Sequence, residues 1–182
     1  MTVKTDYARF DIHDELTAPA GSEKLLKSIS TAGGSVSKLV GVLAGSPASL
    51  KAFARLRAEL HGGDLPVETA IRIGLAVAER HGDGYSVAQH ARSARLVGLK
   101  LDEISQARSF TSGDPKEAAM LAFLEGTMDA NGHPPHYLLE EAREANWTDE
   151  QIIEALGEIA LNEFQSLVAN AAGLPQDQID SA

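Results

Sequence analysis

What most constrains this chain is its punctuation: apolar runs of helical period are opened and closed by strong local signals. Ser46-Pro47 and Asp114-Pro115 each set an oxygen-bearing side chain directly before a proline. The side chain can accept from an orphan backbone amide, and a proline at the first helical position gives up no hydrogen bond. The first pair predicts a helix to about His61, stopped by Gly62-Gly63, and the second a helix to about Ala130, stopped by Asn131-Gly132. Pro66 opens another, in which Val67, Ile71, Leu75 and Ala78 recur near helical spacing until Gly82, so this helix should be largely buried. Tyr85 to about Val97, Leu101 to about Phe110 and a run from Pro134-Pro135 to about Ala145 follow. Thr148 to Gln151 has the form of a capping box ahead of Ile152, Leu156, Ile159, Phe164, Leu167 and Val168, which predicts the longest helix, ending at Gly173. Earlier, Leu25, Leu26 and Ile29 form one apolar face, Gly33-Gly34 interrupts it, and Val36, Leu39, Val40 and Leu43 resume it as a second short helix. No stretch sustains strand alternation. The expected fold class is all-α.

The 182 residues suffice for one core. Residues 1–20 lack periodicity and end in a turn at Thr17 to Gly21, which suggests an N-terminal arm able to pack on a partner subunit, and 21–182 form one helical domain. With 26 acidic and 16 basic residues the net charge is -10, so the average field repels phosphate backbones and anionic headgroups, and nucleic acid is not an expected partner. Met1 to Phe10 contains no apolar signal core, and no run approaches the roughly 18 apolar residues of a membrane span, so the expected location is cytoplasmic. The chain has no cysteine, which removes disulfides, thiolate metal sites and thiol nucleophiles together.

Chemistry-bearing residues gather where one helix turns into the next: Asp83, Tyr85, Ser86, Gln89 and His90. Ser86 and His90 are four apart and share a helix face. The pair invites a hydrolase reading, against which stand the lack of a third orienting group, the lack of flanking elbow glycines, and the capping role open to Ser86. His90 is read either as a satisfied core residue or as an acid or base. Arg72 lies inside the apolar helix, where its charge needs either an acidic partner across a subunit interface or a carboxylate ligand in a pocket. His133-Pro134-Pro135-His136 and the group Glu79, His81 and Asp83 match no metal-binding spacing, so neither a metal nor another cofactor is expected.

The segment Leu65 to His90, together with Gly45-Ser46-Pro47, Ala145 to Ile152, Ala160 to Phe164 and Ala172-Gly173, resembles the carboxymuconolactone decarboxylase superfamily, in particular its alkylhydroperoxidase D-like, peroxidase-related branch. The resemblance spans about Ser22 to Gly173. Peroxidase members of that family carry a Cys-x-x-Cys pair at a helix start, a histidine four residues on, and a relay glutamate twelve residues before the first cysteine. Those positions fall here on Asp83, Ser86, His90 and Ile71. Only the histidine is retained. A serine hydroxyl is not ionised at neutral pH and isoleucine carries no proton, so the resemblance implies the family fold without its thiol peroxidase cycle. Glu68, one turn before Ile71, is either a substitute relay carboxylate or a solvated first-turn glutamate. The resemblance further implies a homotrimer or hexamer with a pocket near His90, Tyr85 and Ile71. Two rival roles follow. One is a thiol-free decarboxylase or lactone-processing enzyme, using His90 on a small carboxylic acid anchored by Arg72, Arg92 or Arg95. The other is a non-catalytic binding module, whose sign would be a filled cavity beside Tyr85 and Ile71.

Overall fold

The computed structural model describes residues 8–31 and 36–175, so residues 1–7 of the arm, the Gly33-Gly34 break and residues 176–182 lie outside the described residues. Among those described, the chain forms nine helices and no strand: α1 Ala20–Thr31, α2 Lys38–Leu43, α3 Pro47–His61, α4 Val67–Arg80, α5 Gly84–Leu96, α6 Leu101–Ala107, α7 Pro115–Asp129, α8 His136–Glu144 and α9 Asp149–Ala172. The fold class is all-α.

The helix starts follow the capping chemistry. Ser46 accepts from Ser49 N at 3.3 Å, and Asp114 accepts from Lys116 N at 2.8 Å, each ahead of its proline. At α9 the capping box is complete, with Gln151 N donating to Thr148 Oγ1 at 3.1 Å and Thr148 N donating to Gln151 Oε1 at 3.3 Å. Gly173 closes α9 in the left-handed region, at φ 66°. Two boundaries differ from expectation, the first being that of α1, which begins at Ala20 inside the stretch read as a turn. α6 ends at Ala107, one turn early, because Phe110 has φ 52° and cannot continue a right-handed helix while its ring is buried.

α4 and α9 are the two central helices, and most other elements pack on one or both. The N-terminal half of α9 meets α4, α7 and α8 around Ile73, Val77, Leu121, Leu124 and Trp147. Its C-terminal half, with Leu161 and Ala169, meets α1, α2 and α3 through Leu26, Leu43, Leu50 and Phe53. A third cluster joins α4, α5 and α6 through Ile71, Leu75, Ala91 and Ile104. Every residue of α4 from Ile71 to Ala78 is buried, Arg72 included, as the otherwise apolar run requires.

The predicted apolar face of α9 packs on the core through Ile152, Leu156, Ile159, Phe164 and Val168, with Leu167 as the exception, and a polar stripe is buried beside it. Leu167 is 68% exposed, while Glu158, Asn162 and Ser166 are buried. The described part of the arm lies on its own chain: Arg9 N donates to Ala172 O at 2.8 Å and His13 N to Gly41 O at 3.0 Å. No described helix is long and apolar enough to cross a membrane.

Candidate functional site

α5 starts where Asp83 turns the chain. Asp83 is almost wholly buried, and its Oδ1 accepts from Ser86 N at 3.0 Å, which makes it the N-cap of the helix. From that start, Tyr85, Ser86, Gln89, His90 and Ser93 point along one side of α5 into a cavity of about 480 Å3. Ser37 and Leu39 close one edge, Arg57 and His61 of α3 another, and Val67, Ala70 and Ile71 of α4 give it an apolar wall. α9 contributes Glu158, Leu161, Asn162 and Gln165, which recur at helical spacing and present one stripe. The volume is that of ordinary small-molecule pockets, and the polar groups are few and convergent.

His90 is held in this cavity by a close approach. A methyl group built on Gly74 of α4 would lie 2.6 Å from Nδ1 and 2.7 Å from Nε2 of the His90 ring, so only a glycine leaves room for the imidazole there. The surface the ring keeps faces the cavity. Burial pushes its pKa down to about 4, assisted by the positive charge of Arg57 and opposed by the Asn162 side chain and the Asp83 carboxylate. His90 is therefore a neutral imidazole at pH 7, with one donor and one acceptor nitrogen.

Asn162 is the hub beside it. Its Nδ2 donates to the Glu158 backbone oxygen at 2.8 Å and to Glu158 Oε2 at 3.3 Å, while its Oδ1 accepts from Gln165 Nε2 at 2.7 Å. The same side chain lines the cavity with His90 and opposes the effect of burial on its pKa. Glu158 is 4% exposed, and burial raises its pKa while Asn162 and Arg57 pull it back. His61 is held below the ordinary imidazole value by partial burial and by the charge of Arg57.

The expected site residues divide into two groups. Ser86, Tyr85, Gln89, Ile71 and His90 line the cavity together. Tyr85 also reaches α2, its hydroxyl accepting from Leu39 N at 3.4 Å. Asp83 sits behind the cavity as a cap, and Glu68 and Arg72 do not line it. The Arg72 expectation is corrected. Its Nε donates to Glu103 Oε1 at 2.9 Å and its Nη1 lies 3.7 Å from Glu117 Oε1, so both charges that balance it come from the same chain, and no ligand carboxylate is needed. Thr69 Oγ1 also donates to Glu117, at 2.9 Å. Of the two readings of Glu68, the relay carboxylate is the one the geometry opposes: the side of α4 that meets the cavity carries Val67, Ala70 and Ile71, and Glu68 is a first-turn residue outside it. Arg92 and Arg95 are exposed and also lie off the cavity.

Several cavity residues escaped the sequence reading, among them Arg57 and His61 of α3 and Glu158, Asn162 and Gln165 of α9. The three on α9 left a weak but real signal, a polar stripe interrupting the apolar face of a long helix. Gly74 had a plainer one, since a glycine inside a buried helix is costly unless something needs the space.

No protein-family model matches the chain, and no curated protein matches it significantly. Solved structures do. An uncharacterized peroxidase-related protein from Ralstonia eutropha JMP134, described as an alkylhydroperoxidase AhpD core, superposes with a TM-score of 0.80 over 94% of this chain and 93% of its own, at 21% identity. The chain has the alkylhydroperoxidase AhpD-core fold. A peroxidase-related protein from Silicibacter sp. TM1040 is similar to it over 98% of this chain and 96% of its own, with a TM-score of 0.79 and 17% identity. The debrominase Bmp8, in a cysteine-to-alanine variant bound to 2,3,4-tribromopyrrole, matches over 98% and 95% with a TM-score of 0.75 and 18% identity. Within this AhpD-core fold the present chain places an aspartate cap and a serine at the start of α5, and it has no sulfur nucleophile anywhere.

Proposed function

We propose that this AhpD-fold protein has no thiol peroxidase activity and that its cavity takes a small organic acid, which it processes by proton transfer in the manner of a decarboxylase or lactone-processing enzyme. The observation that carries this reading is the cavity itself: it is open beside Tyr85 and Ile71, holds a neutral His90, and has Arg57 at its edge. An open, polar-lined cavity speaks against the binding module with a filled pocket. Arg57 supplies the anion anchor for which the sequence offered Arg72, Arg92 and Arg95. The debrominase neighbour binds a small substituted ring, and a cavity of about 480 Å3 accommodates a ligand of that size. A cysteine-dependent step is unavailable here, because the positions that resemble the redox pair are Asp83 and Ser86. By the resemblance noted above, the working assembly is a homotrimer or hexamer.

The test is a paired screen. The protein is assayed against hydrogen peroxide and alkyl hydroperoxides with a dithiol reductant, and against a panel of lactones and β-keto acids. No hydroperoxide turnover is expected, together with turnover of at least one member of the panel that falls on His90→Gln. Hydroperoxide reduction by the wild type, or panel turnover indifferent to His90→Gln, would refute the proposal.

A further inference from the structure

Of the described residues lining the cavity, Glu158 is the one carboxylate. It comes from α9, far in sequence from the turn into α5. Asn162 Nδ2 donates to its Oε2 at 3.3 Å, and Asn162 lines the same cavity as His90, whose pKa it raises. We propose that Glu158 is the group that takes a proton from the organic acid bound in this cavity, and that Asn162 is the positioning residue coupling it to His90. This rests on the reading of the cavity given above and assigns the base within it.

The division of labour follows from the surroundings of the two groups. The neutral imidazole of His90, titrating near 4, is a weak base at pH 7 but a good hydrogen-bonding group. Glu158 is desolvated, which makes its carboxylate more basic than an exposed one. For an acid that carries a carbonyl group, a carbon–hydrogen bond beside the carbonyl breaks and the proton goes to the Glu158 carboxylate. The freed electron pair becomes the carbon–carbon double bond of an enolate, and the carbonyl electrons move to oxygen. The negative charge lost at Glu158 reappears on the ligand oxygen, so the cavity's net charge is unchanged and no oxidant or reductant is consumed. In an unsaturated lactone or acid, Glu158 then delivers the same proton to the far carbon of the delocalised enolate, and the net change is a shift of the carbon–carbon double bond. The titratable or charged groups that face Glu158 across the cavity are Arg57 and His61 of α3 and Tyr85 and His90 of α5. The cavity residues of α4 and α2 carry none, and no residue of α7 lines it.

The coupling is tested on the full-length protein without ligand, by a carbon-13 carboxyl NMR titration with the Glu158 signal assigned from Glu158→Gln. Glu158 is expected to titrate above the ordinary glutamate range, with an inflection at the same pH in the His90 ring nitrogen signals. Asn162→Leu should remove that inflection at His90. In the activity arm, Glu158→Gln should lower kcat on any panel acid that is turned over by about 100-fold or more with little change in KM, and Glu158→Asp should recover part of it. The proposal is overturned by a Glu158 that titrates at or below the ordinary value, by a His90 spectrum blind to Glu158, or by full turnover in Glu158→Gln. A wild type that turns over no acid overturns the reading of function instead, while the titration still judges the Glu158, Asn162 and His90 coupling.

Discussion

The burial of His90 makes stability depend on acidity in a way that a single substitution isolates. Its folded pKa is about 4, against an ordinary 6.5 in the unfolded chain. Above both values the ring is neutral in either state, and folding is unaffected. As pH falls through 6.5 the unfolded chain takes a proton that the folded one refuses, so stability is lost until pH 4, below which the loss levels off. Two and a half pKa units correspond to roughly 3 kcal/mol in full, of which about 2 kcal/mol is reached by about pH 5. Glu158 and Glu117, both with raised pKa values, act in the opposite direction, gaining relative stability as they protonate. Glu117, which lies off the cavity, does so equally in a variant that lacks only the imidazole, and making both proteins in a Glu158→Gln background removes the Glu158 contribution. The assay is urea unfolding of Glu158→Gln with and without His90→Gln at about pH 7.5 and about pH 5, with the pH dependence of the protein lacking His90 subtracted. The protein that keeps His90 should lose about 2 kcal/mol more than the one carrying His90→Gln. Parallel losses in the two proteins would mean that His90 is not held neutral, and the cavity chemistry derived from it would fall with that result.

Other substitutions probe the neighbouring elements. Gly74→Ala removes a helix-interior glycine, worth about 1 kcal/mol in propensity, but forces a methyl group against the His90 ring at a cost of about 1–3 kcal/mol. A protein no more stable than wild type, with displaced His90 ring signals, is the expected result, and clear stabilisation with unmoved His90 signals would contradict the close approach. Asp83→Ala should cost about 1 kcal/mol in urea unfolding through the lost α5 cap, and Asp83→Asn much less. Glu103→Gln strips a buried arginine of its nearer partner, and a loss of about 3 kcal/mol is expected, without effect on ligand binding because Arg72 lies off the cavity. A change in affinity there would return Arg72 to the site.

The helical frame was legible because its signals are local. Ser46, Asp114 and Thr148 each satisfy amides within three residues of themselves, and Gly173 adopts the one backbone conformation that ends α9. Half of the site was legible for the same reason, since Ser86, Gln89 and His90 share a face of one helix whose start Asp83 fixes. The other half comes from α3 and α9, about thirty and seventy residues away from His90 in sequence, and depends on how three helices are docked. In isolation Arg57 reads as a solvated cation, and it is indeed exposed at the cavity edge, whereas Glu158 reads as a surface acid and is buried. Arg72 misled in the opposite sense. A cation inside an apolar helix demands a partner, but only the placement of α6 and α7 shows that Glu103 and Glu117 already supply it.

The central claim, that a cysteine-free AhpD fold uses the His90 cavity for a small organic acid held by Arg57, is tested most directly by following the His90 ring nitrogens in NMR spectra at about pH 7 during titration with a panel of small carboxylic acids. At least one acid should shift the wild-type His90 signals saturably and leave those of Arg57→Ala unmoved. If no acid moves His90, or if one moves it equally in Arg57→Ala, the claim is contradicted.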